Sequence, residues 1–527
     1  MRLSPALLSF VALATSMAAL RGAEPAYDLI IARGLVYDGT GGAPQRADVG
    51  IRGDRIVRIG DLATAAAARR IDAAGLAVAP GFIDLHAHLE PIERMPEAES
   101  AVRQGVTTAL GGPDGNSPIP LGPFFARIEK LPLGLNVAYL AGQGAIRSSV
   151  LKLVDRAPTP AELDAMKARV GEAMRDGAFG LSTGLKYLPG TFSKTDEIVA
   201  LARVAAAAGG IYTSHLREEG LQLLPAVTEA IAIGRQAKIP VVLTHHKVVG
   251  QPSWGASVKT LQLVDAARAE GLDVMIDQYP YTASYTSISV LIPSWALAGG
   301  ATAFKARAAD PAQRAKMKKD IVEAILTDRG AGDIARVQFS KVDWNRKLEG
   351  RTLRDWTVER GLAPTPENGA DLVIEAQLAG GCGCVFHAMK DEDVERIMRH
   401  PQTMIASDGR LSQPGESVPH PRAYGTFPRV LGHYVREKRI LPLETAISKM
   451  TLLPARRLGL TDRGRLAEGA HADLVIFDPA TVRDTATFAQ PHQYPVGIPF
   501  VIVNGRVTVD AGKFTEARGG RLLRRGL

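Results

Sequence analysis

The stretch GFIDLHAHLE, residues 81–90, places two histidines one residue apart at the end of an apolar run. Side chains alternate along a β-strand, so His86 and His88 point to the same side. Two neutral imidazoles that converge on one point form half of a metal site, although an HxH pair also occurs by chance. The residues that end the neighbouring strands decide between these two interpretations.

The region from residue 80 to residue 460 alternates short apolar segments with helical patterns such as TPAELDAMKARVGEAMRDG. Such alternation predicts parallel βα units. Eight strand-like segments follow one another: GFIDLHAH, GVTTALGG, LNVAYLAG, AFGLSTGLKY, GIYTSHL, PVVLTHHK, DVMIDQYPY and TMIASDG. The sequence therefore predicts an α/β protein with a (β/α)8 TIM barrel, whose active site lies at the C-terminal ends of the strands.

Polar side chains end five of these predicted strands. Burying a charged or imidazole side chain is costly unless something compensates it. The residues are His86 and His88 on the first strand, Lys186 on the fourth, His215 on the fifth, His245 and His246 on the sixth, and Asp408 on the eighth. One of them alone could be a hydrogen-bonded core residue, but five strand ends at one barrel mouth predict a site.

The histidines and the carboxylate of this set suit Zn²⁺ or a similar divalent ion, with one or two ions bound. A bound metal lowers the pKa of its water and polarises a carbonyl oxygen, which are the two tasks of amide hydrolysis. Asp408 could ligate the metal and act as general base and then general acid. Two ions would need an anion between them, either Lys186 converted to a carbamate by carbon dioxide or Asp114 in GGPDG. An unmodified Lys186 could not fill this role, because its positive charge would be repelled by the two cations.

The ordered set HxH, lysine, His, His, Asp resembles the amidohydrolase superfamily of metal-dependent hydrolases. Within that superfamily, GAFGLSTGLKYLPG, TSHLREEG, LTHHK, DQYPY, IASDG and HPRAYGTFPRVLG resemble the D-aminoacylase (N-acyl-D-amino-acid deacylase) family. The similarity runs from about residue 26 to the C-terminus. It implies a barrel with a small β-sandwich and a zinc site that cleaves an acyl–amino acid amide bond.

The resemblance also implies roles for individual residues. His86, His88, His215 and His245 match the family's histidine ligands, and Asp408 matches the ligand and general base. His246, the second histidine of THHK, then packs or lies behind the ligands. Lys247 and Tyr279 match positions that hold the substrate carboxylate.

The chain departs from the family pattern at two places. Many relatives have a bridging cysteine in GNCG, where this chain reads GGPDG with Asp114. Because Lys186 stands where the wider superfamily carries a carboxylated lysine, we expect Lys186 to be the bridge and Asp114 to lie behind it or to be an alternative ligand. Tyr285 stands where relatives place a serine near the substrate carboxylate, and no arginine occurs between Tyr279 and Lys305.

The two ends of the chain carry short alternating strands, such as YDLIIARGLVYDGTGG and PFVIVNGRVTVDAGKF. They predict one small β-sandwich domain formed by residues 24–79 and 461–527, with the barrel over 80–460. Residues from about 290 to 375 are too many for a plain βα loop, so we expect an insertion that forms a lid or wall of the pocket.

The first residues have an early arginine, an apolar stretch from Ala6 to Ala14 and the small residues SMAA. This layout predicts a signal peptide over about 1–23, too short for a stable membrane anchor, and hence an exported protein, periplasmic or secreted. The net charge of +8 comes partly from a basic tail, and without a nucleic-acid motif we expect no nucleic-acid partner. The two cysteines, Cys382 and Cys384, are either packed thiols, a disulfide or a metal-ligand pair.

Three functions remain open from the sequence. The favoured one is a zinc-dependent hydrolase of a small-molecule amide, either an N-acyl-D-amino acid or a dipeptide with a D or unusual residue. The second is a cyclic amide hydrolase of the hydantoinase or dihydroorotase type, which Lys186 favours. The third is a non-catalytic binding protein, which would require a missing ligand or base. The sequence leaves the oligomeric state open.

Overall fold

The structure is a computed structural model that describes residues 26–526. The predicted signal peptide lies outside these residues. Within them, no helix combines the length and the apolar character that a membrane span requires.

A ring of eight parallel strands forms the centre of the molecule. In chain order they are Phe82–Asp84, Val106–Gly111, Asn136–Tyr139, Gly180–Gly184, Ile211–His215, Val241–Leu243, Val274–Gln278 and Thr403–Ile405, and Ala141–Gly142 continues the third. The ring closes where Gly409–Arg410, after the eighth strand, pairs in parallel with Ala87–His88, after the first. This closure brings the two chain segments that carry His86, His88 and Asp408 together. The predicted (β/α)8 barrel is confirmed.

Helices surround the strands and hold them in place. Those of the barrel are Glu99–Val102, Leu121–Ile128, Gln143–Leu151, Pro160–Asp176, Thr195–Ala207, Leu223–Ala237, Ser257–Ala269, Asp391–Arg399, Arg422–Arg429, Leu443–Met450 and Leu452–Leu458. The helix Pro160–Asp176 shows how the sequence sets the bounds. Thr159 and Glu162 form a capping box at its start, and Gly177 ends it in the left-handed conformation.

The two ends of the chain form one β domain, as predicted. Its strands are Tyr27–Val36, Gln45–Arg52, Arg55–Gly60, Ala67–Asp72, Ala77–Pro80, Leu474–Phe477, Phe500–Val503, Arg506–Asp510 and Lys513–Phe514. They belong to a single sheet that forks at Tyr27–Val36, because this strand bonds to three others. The N-terminal and C-terminal parts join where Ala77–Pro80 pairs antiparallel with Leu474–Phe477.

The segment between the seventh and eighth strands has an apolar core of its own. Its small antiparallel sheet has the order Ser284–Ser287, Gly383–Phe386, Val337–Lys341. Its helices are Ser294–Leu297, Gly300–Ala309, Pro311–Thr327, Leu353–Glu359 and Pro366–Leu378. The strand Ser284–Ser287 lies along the barrel mouth, so the insertion forms one wall of the cavity there.

Candidate metal centre

Four side chains from three strand ends meet at the barrel mouth: His86, His88, Asp114 and Asp408. Asp408 Oδ1 lies 3.1 Å from His88 Nε2 and 3.5 Å from His86 Nε2. Asp114 Oδ1 lies 3.5 Å from His86 Nε2. This cluster offers imidazole and carboxylate ligands to one divalent ion.

A second cluster shares Asp114 with the first and adds His215 and His245. Asp114 Oδ2 lies 3.8 Å from His215 Nδ1, and Asp114 Oδ1 lies 3.4 Å from His245 Nε2. The carboxylate of Asp114 therefore stands between the two groups of histidines. This is the position that an anion shared by two ions would occupy.

Backbone geometry at the two clusters is unusual. Asp114, His245 and Asp408 have φ values of +53°, +36° and +50°, in the left-handed region that non-glycine residues seldom adopt. Each such residue costs on the order of 1–3 kcal/mol unless the surrounding structure enforces it. Strain of this kind is concentrated at functional sites.

The polar atoms of the clusters are better placed to bind a cation than to form hydrogen bonds with one another. Both ring nitrogens of His86 and His215, Nε2 of His245 and Oδ1 of Asp114 are buried without a hydrogen-bond partner within residues 26–526. Burial lowers the pKa of His215 to about 4, so its imidazole is neutral and has a free lone pair. Nitrogen and oxygen ligands in this number suit Zn²⁺.

Both carboxylates of the clusters are held in the ionised form. Burial by itself raises the pKa of Asp408, but the Arg422 guanidinium and the histidines outweigh it and hold that pKa well below its usual range. Burial likewise raises the pKa of Asp114, and His86 and His245 lower it further than burial raises it. Ionised carboxylates are the form that binds a metal.

Lys186 does not lie in either cluster. Its Nζ donates to Glu218 and, at 3.2 Å, to Asp328 Oδ2, and it lines a neighbouring cavity beside the insertion. Burial lowers the pKa of Lys186, but Asp328 and Glu218 raise it overall. These contacts give no support to the predicted bridging role of Lys186, which stays a prediction, whereas Asp114, predicted only as an alternative ligand, stands between the two groups of histidines.

The residues predicted to hold a carboxylate lie beside the clusters. Tyr279 is buried, its Oη has no partner within residues 26–526, and its ring lies 5.6 Å from Lys247 Nζ and 4.7 Å from Arg422 Cζ. Arg422 Nη1 donates to Asp408 Oδ2 at 2.7 Å. Two cations and a phenol thus converge on one end of the cavity, next to the proposed general base.

The cavity above the clusters has a volume of about 1100 Å³. Its wall includes Ser284 and Tyr285 from the insertion strand. Ser284 Oγ accepts from Arg329 at 3.0 Å, whereas the backbone carbonyl of Tyr285 faces Arg422 at 3.5 Å. Ser284 therefore supplies a serine hydroxyl at this wall, one residue before the position expected from the family pattern.

His246 and the two cysteines lie outside the metal clusters. His246 donates or accepts at Thr260 Oγ1 through Nε2 and is buried away from the clusters, as expected for packing. Cys382 and Cys384 are free thiols with their sulfurs 3.8 Å apart in the insertion sheet. Neither cysteine belongs to the metal clusters.

Sequence reasoning missed three groups around the clusters, the half-buried Tyr187 and the buried Glu219 and Arg329. The ring of Tyr187 packs on His215 with centroids 4.4 Å apart. Glu219 faces both His215 and His245, and Arg329 from the insertion donates to Glu219. The two glutamates of LREEG, directly after His215, were the available signal for Glu219, whereas no local pattern marks Arg329.

Comparisons with known proteins agree with this geometry. The model of the amidohydrolase family matches residues 69–509. A D-aminoacylase of Alcaligenes xylosoxydans xylosoxydans is 39% identical over 95% of this chain and 98% of its own. The crystal structure of an N-acyl-D-glutamate deacylase of Bordetella bronchiseptica, complexed with zinc and a phosphonate inhibitor, is 35% identical with a TM-score of 0.81, covering 94% of this chain and 99% of its own.

Ring-opening amidohydrolases are more distant. A D-hydantoinase covers 94% of this chain and 99% of its own, with 16% identity and a TM-score of 0.56, and this likeness shows the fold alone. Similarity over nearly the whole length, together with the barrel, the β domain and the two clusters, decides the assignment. The chain belongs to the amidohydrolase family and, within it, to the group of the D-aminoacylases.

Proposed function

We propose that the protein uses zinc to hydrolyse the amide bond of N-acyl-D-amino acids, or of dipeptides that contain a D or unusual residue. The observation that carries the proposal is the position of Asp408. Its Oδ1 faces the histidines of the first cluster, and its Oδ2 accepts from Arg422 at the cationic end of the cavity. One carboxylate thus joins the metal centre to the place where a substrate carboxylate would bind.

His86, His88 and Asp408 would hold one ion, and His215 and His245 a second, with Asp114 between the two. A divalent ion at this place lowers the pKa of a coordinated water and polarises the amide carbonyl. Zinc is proposed because the ligands are imidazoles and carboxylates and because the related deacylase of known structure contains it.

Asp408 would move the proton of the reaction. Because Arg422 keeps this carboxylate ionised, it can accept a proton from the attacking water at neutral pH. The same carboxyl group then donates that proton to the leaving nitrogen, which departs as an amine. The hydrogen bond from Arg422 Nη1 fixes the rotation of the carboxylate between these two tasks.

Lys247, Tyr279 and Arg422 would bind the free carboxylate of the amino acid. Charged hydrogen bonds of this kind are stronger than neutral ones and fix the orientation of the substrate. They place the bond to be cleaved, which is adjacent to the carbon bearing the carboxylate, over Asp408. The D configuration is proposed from the related D-aminoacylase.

Cyclic amide hydrolysis is less well supported. It would be favoured by a carbamate on Lys186, and the ion pairs of this lysine with Glu218 and Asp328 give no support to one.

The test is a hydrolysis assay of the purified protein after zinc loading. N-acetyl-D-amino acids, their L enantiomers, hydantoin and dihydroorotate would be compared by amine release or ring opening. We expect amine release from D substrates, with a kcat/KM at least roughly 100-fold above that for the L enantiomers. Ring opening without amine release, or no turnover of any D substrate, would contradict the proposal.

We also propose export to the periplasm or the medium, supported by the apolar stretch from Ala6 to Ala14 that ends in small residues. Fractionation of expressing cells and N-terminal sequencing would test it. We expect cleavage near Ala18 or Ala19, and an intact N-terminus in the cytoplasm would refute the idea.

A further inference from the structure

We propose that the substrate carries an aliphatic acyl group of about six carbons or more, which lies along the loops that follow the second, third and fourth barrel strands. The proposal deepens the function proposed above, on which it rests, by naming the acyl group. Hydrolysis adds one water across the C–N bond, so the products are a fatty acid and the free amino acid. Three features of the cavity carry the inference: its direction from the metal centre, its lining and its volume.

The direction of the acyl group follows from the order of the strands. Lys247, Tyr279 and Arg422, which would hold the substrate carboxylate, follow the sixth, seventh and eighth strands. In a closed ring of eight strands, the second, third and fourth lie on the opposite side of the mouth. The metal centre stands between these two sides. Since the carboxylate belongs to the amine half of the substrate, the acyl half extends toward the loops after the second, third and fourth strands.

These three loops meet beside the carboxylate that stands between the metal clusters. The carbonyl oxygen of Gly115, the residue after Asp114, accepts from Ala145 N at 2.9 Å, at the start of the helix after the third strand. A Cβ atom added at Gly144 would lie 3.0 Å from the same oxygen and 3.8 Å from Pro189 Cδ, after the fourth strand. The cavity therefore extends from the metal centre along these loops.

The cavity wall along these loops combines small and apolar side chains. Its residues, which we call the acyl groove, are Ile119, Gly144, Ala145, Ser148, Leu153 and Leu188. The small ones belong to one helix, Gln143–Leu151, and leave room beside it. Ile119, Leu153 and Leu188 are half-buried, so an alkyl chain that covers them removes apolar surface from water.

Polar groups along these loops are mostly engaged already. Ser117 Oγ accepts from a backbone N–H at 2.8 Å, and Ser149 Oγ donates to a backbone carbonyl oxygen at 2.6 Å. The charged cavity residues there are Asp114, which faces the histidines, and Lys152, which is exposed at the end of the helix. A peptide-like acyl group would bury amides with few partners, which is costly, whereas an alkyl chain needs none.

The cavity is larger than a short acyl group requires. Its volume is about 1100 Å³. Pockets of roughly 300–1,000 Å³ hold drug-sized ligands, whereas an N-acetyl amino acid has only about ten non-hydrogen atoms. An acetyl group would therefore leave the acyl groove to water. Each methylene that a longer chain buries there adds binding energy, which raises kcat/KM.

The experiment measures kcat/KM of the zinc-loaded wild type for D-alanine that carries an acetyl, butyryl, hexanoyl or octanoyl group. D-Alanine is chosen because its methyl side chain is small. We expect kcat/KM to rise about two- to fourfold per methylene, so that hexanoyl exceeds acetyl by at least about tenfold. Glycylglycyl-D-alanine, whose acyl part is as long as hexanoyl, is the polar comparison and should be cleaved more slowly than N-hexanoyl-D-alanine.

The variant A145F should obstruct the acyl groove. We expect it to lower the ratio of the hexanoyl to the acetyl kcat/KM by at least about fivefold, because the phenyl ring occupies the space of the chain. A165F is the matched control: it is the same substitution at an exposed position of the helix Pro160–Asp176, outside the cavity, and should keep the wild-type ratio. Thermal melting shows that each variant is folded. If A145F does not fold, S148F on the same helix replaces it.

The proposal is overturned by equal kcat/KM for the acetyl and hexanoyl substrates, by faster cleavage of glycylglycyl-D-alanine than of N-hexanoyl-D-alanine, or by an unchanged ratio in the folded groove variant. Failure of the proposed function looks different, because then the wild type cleaves none of these substrates. In that case calorimetry of the wild type decides about the groove. Binding of N-octanoyl-D-alanine at least about tenfold tighter than N-acetyl-D-alanine supports it, and equal affinities overturn it.

Discussion

Arg422 donates from Nη1 to Asp408 Oδ2 at 2.7 Å, and both side chains are buried, 3% and 7% exposed. The other oxygen of Asp408 faces His88 and His86. The guanidinium therefore acts on the carboxylate that joins the metal centre to the cationic end of the cavity.

The variant R422M should lower kcat/KM by roughly 100-fold or more, because a buried charged contact is lost. Without the guanidinium the pKa of Asp408 rises, so at a given acidic pH a smaller fraction is ionised. The acid limb of the kcat/KM profile should then move to higher pH. R410M is the control, since Arg410 pairs with Glu90 and is 49% exposed. Coincident acid limbs for R422M and the wild type would refute this role.

The variant D408N should lower kcat by about 10²- to 10⁴-fold, because an amide cannot carry the proton from water to the leaving nitrogen. KM for an N-acyl-D-amino acid should change much less, since Lys247 and Tyr279 remain. Steady-state kinetics at saturating zinc measure both constants. A D408N protein with more than a tenth of the wild-type kcat would show that another group moves the proton.

Asp114 and Lys186 should differ in their effect on metal content. D114A removes the carboxylate between the clusters and should lose bound zinc after dialysis. K186M should retain the wild-type zinc content, while losing about 1–3 kcal/mol of stability because Glu218 and Asp328, which are partly exposed, are left without their cation. Elemental analysis and urea unfolding measure the two effects. Zinc loss in K186M with zinc retained in D114A would reverse our assignment.

Removal of the metal should destabilise the protein. The clusters gather buried imidazole nitrogens and one oxygen of Asp114 that lack hydrogen-bond partners within residues 26–526, so a bound ion would stabilise the folded state by mass action. Treatment with a chelator should lower Tm by several degrees and abolish hydrolysis, and added zinc should restore both. An unchanged Tm together with unchanged activity would show that the clusters hold no functional metal.

Lys449 predicts a dependence of stability on alkaline pH. Burial lowers its pKa to about 8, and its Nζ donates to the carbonyl oxygens of His400 and Thr403 at the start of the eighth strand. Between about pH 8 and 10.5 the unfolded chain binds more protons than the folded one, so this contribution to stability increases with pH. Below pH 8 Lys449 is protonated in both states, so the free energy of unfolding carries the full cost of burying its charge.

The measurement is the free energy of unfolding of the wild type and K449M between pH 7 and 10, with zinc present. The wild type should gain up to about 3 kcal/mol relative to K449M as the pH rises over this range. Parallel curves for the two proteins would show that Lys449 keeps an ordinary pKa.

The barrel and most of the site could be predicted from the sequence because both depend on local pattern. Strands of a parallel sheet are apolar along their length, so His86, His215, His245 and Asp408 stood out at strand ends. In a closed barrel the C-terminal ends of all strands meet at one mouth. This geometry brings His88 and Asp408 together although they are 320 positions apart in the sequence. The β domain followed from alternation at both ends of the chain, but the fork at Tyr27–Val36 has no sequence signal.

The sequence analysis placed Lys186 at the metal centre because the order of residues along the chain does not show where a side chain points. It lies in the turn after Gly180–Gly184, where the chain no longer alternates as a strand, so its side chain points to Glu218 and Asp328. Tyr187, the next residue, takes the place against His215. Arg329 could not be found, because its contact with Glu219 depends on how the insertion folds onto the barrel.

The measurement that tests the central claim most directly is anomalous diffraction at the zinc edge from crystals of the zinc-loaded protein. We expect zinc about 2.0–2.2 Å from nitrogens of His86 and His88 and from an oxygen of Asp408, and a second ion beside His215 and His245 with Asp114 between them. Zinc bound to a carbamate on Lys186, or no zinc at either cluster, would contradict the proposed metal centre.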